Sequence, residues 1–356
     1  MSKNLIGALA CALLFCTPSR AAEPLKVGFV YVSPVGQAGW TYQHDQARQA
    51  MQRALGDKVV TRYVEGVPEG ADAERVMRDL AAEGHRLIFA TSFGYLEPAL
   101  RVAADLPAVK FEHAGGYKTA ANLNTYNARF YEGRWLAGWL AGKSSRSGVA
   151  GYVAGFPVPE VVQGINAFTL GMQAANPKAT VRVLWLNTWF DPPREREAAV
   201  SLINAGADVL TNHSGSPAVP QAAEEKGVKL IAYQSDMRAL APNAQLAAVT
   251  ADWSGYYTRV AQRVIAGTWQ PRPMWGGIKE GMVKMAPMNA AVPKDVRDLV
   301  AKAEADIAAG KLHPFAGPVK DQSGKERVPA GKSLPDDQLA VMDYYVEGVQ
   351  GQLPKK

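Results

Sequence analysis

Apolar runs of four to eight residues alternate along this chain with longer stretches in which apolar positions recur every three or four residues. The short runs are typical of strands, and the periodic stretches are typical of amphipathic helices. In the first half they predict strands at 25–32, 58–67, 85–92 and 108–115 and helices at 41–55, 72–84 and 97–107. Strands that alternate with helices of this length indicate βαβ units and a parallel sheet covered on both faces.

The same order then begins again. The second half predicts strands at 147–156, 180–189, 207–214 and 228–236 and helices at 160–176, 193–206 and 218–227. Because the two halves agree in order and length, we expect an α/β fold with two hinged lobes, each a parallel sheet flanked by helices. The small, polar segment 142–148 suits a hinge between the lobes.

Four further elements follow the second half. They are a helix at 251–269, a hairpin-like segment at 276–287, and helices at 294–310 and 333–350. If these segments return to different lobes, several crossings join the lobes, and such a linkage permits hinge closure. We therefore expect an N-terminal lobe of residues 23–145 plus about 251–285, and a C-terminal lobe of 146–250 plus about 286–350.

The first 22 residues have the pattern of a secretory signal peptide. Lys3 precedes an apolar stretch at 5–15, and small residues follow it up to Ala22. Both cysteines, Cys11 and Cys16, lie in this segment, so its removal excludes disulfides and thiol chemistry. A lipid anchor on Cys16 is the alternative, although the bulky Phe15 precedes it. We expect a periplasmic protein, and the length of 356 residues favours two domains over one.

Charge and motifs exclude several classes of function. The formal charge of +6 falls to +4 when Lys3 and Arg20 leave with the leader, and the remaining basic residues are scattered, so we expect no nucleic acid partner. The chain has no complete phosphate loop, dinucleotide fingerprint, serine elbow or paired zinc histidines. We therefore expect no cofactor, no metal site and no catalytic residues. The charge run 194–197 is interpreted as a solvated helix face.

Aromatic and polar residues gather in the loops that follow the predicted strands. In open parallel sheets ligands bind beyond the carboxyl ends of the strands, where helix N-termini also point. Flat rings can stack on a flat ligand, and a few polar groups then fix its edge. The candidate ligand-binding residues are Trp40, Ser92, Phe93, Glu112, Phe156, Trp189, His213 and Asp236, with Trp253 and Lys279 after the possible lobe crossings.

Structural roles are the alternatives for these residues. Trp40 could be a hydrophobic staple at the start of its helix. Phe93 could close the core of its lobe, and Trp189 could be a buried ring at a strand end. His213 could be an ordinary turn histidine, and Asp236 could form an N-cap or an Asx turn.

Eight segments of the chain form a recognisable set, and the long block "FPVPEVVQGINAF" within them is specific. They lie at 36–51, 89–99, 108–117, 131–142, 151–172, 187–199, 206–217 and 233–237. Together they resemble the basic membrane protein family of solute-binding proteins, which belong to ATP-binding-cassette importers and include purine-nucleoside receptors. The resemblance covers about residues 25 to 288.

The resemblance implies a type I periplasmic-binding-protein fold, a purine base or nucleoside as ligand, and a permease in the inner membrane as partner. Trp40 takes the place of the stacking ring of the nucleoside receptors, whereas Thr41 stands where they have Asn. Asp236 falls on their ribose-binding Asp. The ligand loop 212–217 is bulkier here and carries His213, which favours a free base such as adenine over a nucleoside.

Two other functions stay open on the residues alone. A receptor for a sugar or an amino acid can use the same scaffold, because sugar sites also contain stacked rings. A nucleoside-processing enzyme would need an acid or metal cluster, and the loops carry only scattered carboxylates. We expect a monomer that binds a small planar molecule in a cleft and closes because the ligand contacts both lobes.

Overall fold

A computed structural model describes residues 23–354 of the chain. The predicted signal peptide, with both cysteines, lies outside the described residues. Within residues 23–354, every helix is too short or too polar to cross a membrane.

The first sheet is formed mainly by the N-terminal residues. Its strands and the helices between them are β1 Leu25–Val30, α1 Trp40–Leu55, β2 Val59–Val64, α2 Ala71–Ala82, β3 Leu87–Ala90, α3 Leu96–Asp105, β4 Lys110–Ala114 and β5 Leu123–Ala128. These match the predicted elements, except that β5 was not predicted. All pairings are parallel, and a short strand from later in the chain, β11 Met274–Gly276, extends the sheet beside β5 to give the order β11-β5-β4-β3-β1-β2.

The second sheet repeats this architecture. After α4 Phe130–Ser144 its elements are β6 Val149–Ala154, α5 Pro159–Ala175, β7 Thr180–Trp185, α6 Pro192–Asn204, β8 Val209–His213, α7 Ala218–Lys226, β9 Lys229–Gln234 and β10 Gln245–Ala251. The strand order is β12-β10-β9-β8-β6-β7-β15, where β12 is Val283–Met285 and β15 is Val349–Gln350. Only the β10–β12 pair is antiparallel.

The chain crosses between the sheets three times in the described residues. The first crossing follows β5, because α4 packs on α5 and β10 of the second sheet. The second leads from β10 to α8 Ser254–Ile265, which packs on α1, and the third leads from β11 to β12. Segment 142–148, expected above to suit a hinge, joins α4 to β6, and both belong to the second lobe. The division into domains given above stays a prediction. Helix α4 lies within its N-terminal range, 23–145, and packs on the second sheet.

Two predictions for the C-terminal part are wrong. Segment 276–287 is not a hairpin, because β11 and β12 belong to different sheets. Segment 333–350 holds one helical turn, α10 Asp336–Leu339, and ends in strand β15. It is not a helix, because Gln163 and Asn166 of α5 hydrogen-bond its backbone and β15 pairs with β7. The remaining elements here are α9 Lys294–Ala308 and the short pair β13 Val319–Lys320 and β14 Glu326–Val328.

Local sequence explains how each layer packs. All four residues of β3 are buried, as expected of a strand covered by helices on both faces. The helix α2 buries Ala73, Val76, Met77 and Leu80, spaced three and four residues apart, and turns its charged residues to solvent. Loops that follow the strands of both lobes line one common cavity.

Candidate ligand-binding site

A cavity lies between the two lobes where the strands of both sheets end. The space that no protein atom fills measures about 570 Å³, part of it open to solvent. The first lobe contributes Val32, Ser33, Trp40, Ser92, Phe93, Ala114 and Gly115, and the second contributes Val158, Glu160, Trp189, His213, Ser214, Gly215 and Gln234. A molecule in this cavity would contact both lobes at once.

Two aromatic side chains from opposite lobes line the cavity. Phe93 lies in the 3₁₀ turn Phe93–Tyr95 after β3, and Trp189 lies in the loop after β7. The Trp189 ring is fixed from behind, since a Cβ on Gly155 would come within 2.7 Å of it and Phe156 packs edge-on at 5.0 Å between ring centroids. Rings held in this way can stack on a planar ligand.

Trp40 begins α1 and closes the first-lobe side of the cavity. Its indole Nε1 donates to the Thr91 carbonyl at 2.6 Å, and its ring meets His44 edge-on at 4.4 Å between centroids. Ser33 and Thr41 share a hydroxyl hydrogen bond of 2.7 Å beside it. The indole edge is therefore occupied, and only the ring surface of Trp40 is available to a ligand.

Glu160 is the one charged residue among the cavity-lining residues of the described chain. It lies in the first turn of α5, directly after Pro159, where the free N–H groups of a helix favour a carboxylate. Its Oε2 accepts a hydrogen bond of 2.8 Å from Asn127 Nδ2 of the first lobe. Its Oε1 lies 3.5 Å from His213 Nε2.

His213 ends β8 and is almost completely buried. Burial lowers the pKa of the His213 imidazole, and this effect outweighs Glu160, which raises the pKa. The ring is therefore neutral near pH 7. With Nε2 toward Glu160, the buried Nδ1 finds no hydrogen-bond partner within residues 23–354.

Gln234 shows backbone strain at the cavity. This residue ends β9 with φ of 70°, a left-handed conformation that is uncommon for a residue other than glycine. Its buried Oε1 has no hydrogen-bond partner in the described part of the chain. Strained backbone and unpaired polar groups are typical of ligand sites, because a bound molecule can supply the missing contacts.

Further hydrogen bonds besides that of Asn127 connect the lobes at the rim. Glu69 Oε1 accepts from Ser92 Oγ at 2.6 Å and from Gly94 N at 2.9 Å in its own lobe, and from Trp189 Nε1 at 3.2 Å across the cleft. The backbone N–H of Gly39 donates to Ser235 Oγ of the second lobe at 2.7 Å. The structure is therefore a closed form.

Five of the ten predicted site residues line the cavity: Trp40, Ser92, Phe93, Trp189 and His213. Phe156 lies one layer behind, against Trp189. Glu112 lies inside the first lobe, where its carboxylate accepts from Tyr256 OH at 2.6 Å, Trp269 Nε1 at 2.7 Å and Asn124 Nδ2 at 3.0 Å. Burial raises the pKa of Glu112.

The last three predicted residues also lie away from the cavity lining. Asp236 accepts from the Arg238 backbone N–H at 3.1 Å, which is the Asx turn considered as its alternative role, and pairs with the Arg238 guanidinium at 2.5 Å. Trp253 is fully buried and stacks on His44 at 5.1 Å. Lys279 is exposed in the turn between β11 and β12.

The charge run 194–197 is not wholly a solvated face. Glu195 is fully buried, and its Oε2 accepts from Ser214 Oγ at 2.7 Å and from the Ser216 backbone N–H at 3.3 Å. Its other oxygen accepts from Asp191 N at 3.1 Å, while Asp191 caps α6 by accepting from Arg194 N. Glu195 thereby fixes the loop that lines the second-lobe side of the cavity.

Sequence reasoning did not select Glu69, Glu160 or Gln234. Glu160 closes the "FPVPE" loop, and its place after a helix-starting proline is a usable signal for a carboxylate at a helix N-terminus. Gln234 directly follows a buried strand. Glu69 has no comparable signal, since its role depends on a tryptophan 120 residues away along the chain.

Two lobes with parallel sheets, helices on both faces and a cavity between the strand ends define a type I periplasmic-binding-protein fold. A solved structure with this fold, the solute-binding protein of an ABC transporter system from Conexibacter woesei, matches 81% of this chain and 98% of its own with a TM-score of 0.64 at 23% identity.

The chain belongs to the PnrA-like family of ABC transporter substrate-binding proteins, whose family model matches residues 25–310. It is 51% identical over 337 residues to a purine-binding protein of Brucella abortus, covering 95% of this chain and 96% of the relative. It is 38% identical to a putative ABC transporter glucose-binding protein of Haloferax volcanii, covering 93% of this chain and 82% of the relative.

These comparisons confirm the predicted family and fold. The protein is a substrate-binding component of an ABC transporter, a receptor that works outside the cytoplasm and not an enzyme. It therefore has a small-molecule ligand and a permease as partner.

Proposed function

We propose that this protein captures a purine base, with adenine as the model ligand, and delivers it to an ABC permease. The observation that carries the proposal is the pairing of two rings, Phe93 and Trp189, from opposite lobes around a cavity with a single carboxylate. Trp40, Ser92 and His213 complete the proposed contacts. The binding energy of a planar base comes from stacking, while the polar groups fix its edge.

The charged groups that line the cavity favour an uncharged base over anionic solutes. Among its described lining residues no arginine or lysine is present. A phosphate or carboxylate buried here would lack a cationic partner and would lie near Glu160, at a cost of several kcal/mol. This argument disfavours nucleotides and amino acids as ligands.

The names of the two relatives point in different directions. The Brucella relative is called purine-binding and is the more similar at 51% identity, whereas the Haloferax relative is called a putative glucose-binding protein at 38%. A sugar can also stack on Trp189. Glucose is therefore the second candidate, and the experiment must include it.

Titration calorimetry on the protein without bound ligand tests the proposal with adenine, adenosine, hypoxanthine, glucose and glutamate. We expect adenine to bind with a submicromolar to micromolar Kd, roughly −8 to −10 kcal/mol. Adenosine should bind more weakly than adenine, and glucose and glutamate should give no heat. Glucose binding tighter than purine binding would overturn the proposal.

The segment 1–22 stays a predicted signal peptide, with lipid attachment at Cys16 as the alternative. The mass of the protein recovered from the periplasm distinguishes a chain that begins after Ala21 or Ala22 from one that carries a lipid on Cys16.

A further inference from the structure

We infer that Glu160 is a specificity-determining residue that selects a purine with an amino group over one with a carbonyl group. The inference rests on the proposed function and concerns one position of the ligand edge. Its basis is that the one carboxylate of the described cavity lining is held in place by Asn127 and still has hydrogen-bond acceptor positions that the protein does not use.

Glu160 retains free acceptor capacity in the closed structure. Each carboxylate oxygen can accept two hydrogen bonds. Asn127 uses one position on Oε2 at 2.8 Å, and His213 approaches Oε1 only at 3.5 Å. The side chain is 20% exposed, and its Oε2 comes within 3.9 Å of where a Cβ of Gly115, another lining residue, would be. Positions on both oxygens are therefore available to a ligand donor.

No lysine or arginine faces Glu160 among the described cavity-lining residues. His213 faces it but is neutral, because burial lowers the pKa of the imidazole. Asn127 is an uncharged donor. A carboxylate in such a site interacts favourably with N–H groups of a ligand and unfavourably with a carbonyl oxygen, which would add a second acceptor without a proton between them.

Purines differ in the exocyclic group that would face the Glu160 carboxylate. Adenine carries an amino group with two N–H donors, whereas hypoxanthine carries a carbonyl oxygen at the same ring position. A site built to hydrogen-bond a donor rejects an analogue that lacks it, since the buried protein acceptor is then left unpaired. We therefore expect the wild-type protein to prefer adenine over hypoxanthine by at least tenfold in Kd.

The contact with Asn127 adds a link to closure. Asn127 lies on β5 of the first lobe, and Glu160 lies on α5 of the second. Asn127 therefore holds the Glu160 carboxylate in position for a ligand only when the lobes are closed. A ligand that donates a hydrogen bond to Glu160 stabilises the closed form, because only in that form does it contact both lobes at once.

The substitution Glu160→Gln tests the inference, with calorimetry on adenine and hypoxanthine. The amide replaces one of the two carboxylate oxygens by an NH2 donor, keeps the other oxygen as an acceptor, and has nearly the same size. We expect adenine to lose about 10- to 100-fold in affinity and hypoxanthine to lose nothing or to gain. Glu197→Gln is the matched control, because Glu197 is exposed on α6, and neither affinity should change.

The outcomes separate this inference from the proposed function. Wild-type protein that binds no purine overturns both. Wild-type protein that binds both bases equally, or a Glu160→Gln variant that weakens both equally, overturns the inference and leaves purine binding intact. Should the variant fail to fold, N6,N6-dimethyladenine decides on the wild type. This base has no amino proton, and binding as tight as that of adenine overturns the inference.

Discussion

Glu112 and Glu160 show how strongly the surroundings of a residue decide what the same side chain does. Glu112 follows a buried run and accepts three hydrogen bonds from inside the first lobe. Glu160 follows a proline and has acceptor positions to spare. The sequence predicts Glu112 as a ligand contact because it lies near the end of a strand. The sequence does not distinguish a carboxylate whose hydrogen bonds are all made inside a lobe from one with acceptor positions left for a ligand.

Replacing Glu112 by Ala should lower the free energy of unfolding by about 2–4 kcal/mol. Tyr256 OH, Trp269 Nε1 and Asn124 Nδ2 would lose their shared acceptor in a buried place. Urea unfolding followed by tryptophan fluorescence measures the loss. Glu97→Ala is the control, since Glu97 is about half exposed and pairs with Lys118 at the surface. Equal, small losses in both variants would contradict the assigned role of Glu112.

At the scale of elements, the helices α4 and α5 are in direct backbone contact. Gly138 of α4 lies against the carbonyl oxygen of Phe168, and Gly171 of α5 lies against that of Trp135. A Cβ at either position would overlap with the facing backbone, which cannot move aside as a side chain can. This contact explains why α4 packs on the second sheet although it directly follows β5 of the first.

Gly138→Ala should therefore destabilise the protein by about 3 kcal/mol or more, because the two helices would have to separate. Gly255→Ala is the matched helical control. A Cβ at Gly255 meets only the flexible end of Arg259 at 3.1 Å, so we expect no loss and a gain of up to about 1 kcal/mol. Thermal unfolding compares the two. A Gly138→Ala variant as stable as the parent would show that the helices can separate without cost.

Elements with a strong local period were predictable, and short or late ones were not. Helix α1 was predicted at 41–55 and found at Trp40–Leu55, and α2, α5 and the buried strands agree similarly. The segment 333–350 is predicted as a helix but forms one helical turn, because side chains of α5 hydrogen-bond its backbone and its last residues pair with β7. Strands β5, β11 and β15 depend on a partner strand far away in sequence, which no local pattern reveals.

At the scale of the molecule, Gly39 lies where the lobes meet. It has φ of 95°, and a Cβ there would overlap with the Gly215 carbonyl oxygen of the opposite lobe. Gly39→Ala should hold the lobes apart and weaken ligand binding, because the added methyl group would collide with the Gly215 carbonyl oxygen in the closed form. Small-angle scattering should report a larger radius of gyration, and calorimetry a lower affinity for adenine.

Gly36→Ala controls for the backbone effect of this substitution. Gly36 lies in the same loop with φ of 57°, and a Cβ there would meet nothing within 4 Å. Both variants share the strain of a positive φ, and only Gly39→Ala obstructs closure. Equal effects of the two substitutions on the radius and the affinity would contradict this account.

Buried histidines should make the stability of the whole molecule depend on pH. Burial lowers the pKa of His44 to about 3, and its ordinary value is 6.5. A histidine with a depressed pKa takes up its proton more readily when unfolded, so its stabilising effect is complete above pH 6.5 and declines as the pH falls below that value. Between pH 7 and pH 5 the loss is about 2 kcal/mol.

The variant His44→Gln isolates this contribution from the buried carboxylates, whose raised pKa values act with the opposite sign. Its free energy of unfolding should change between pH 7 and pH 5 by about 2 kcal/mol less than that of the parent. Urea unfolding at both pH values measures the difference. Identical pH dependence in the parent and the variant would mean that His44 is protonated equally in the folded and unfolded states.

Local sequence patterns are sufficient to predict the two α/β lobes and the loops that line the cavity. Hydrophobic periodicity is a local property, and the position of a loop after a strand follows from the order of elements. Which loop residues meet in the cavity, and which form their hydrogen bonds elsewhere, depends on how the two lobes pack in space. Glu69, Asn127 and Glu160 act through partners in the other lobe, and such pairings depend on distances in space that the order of residues along the chain does not contain.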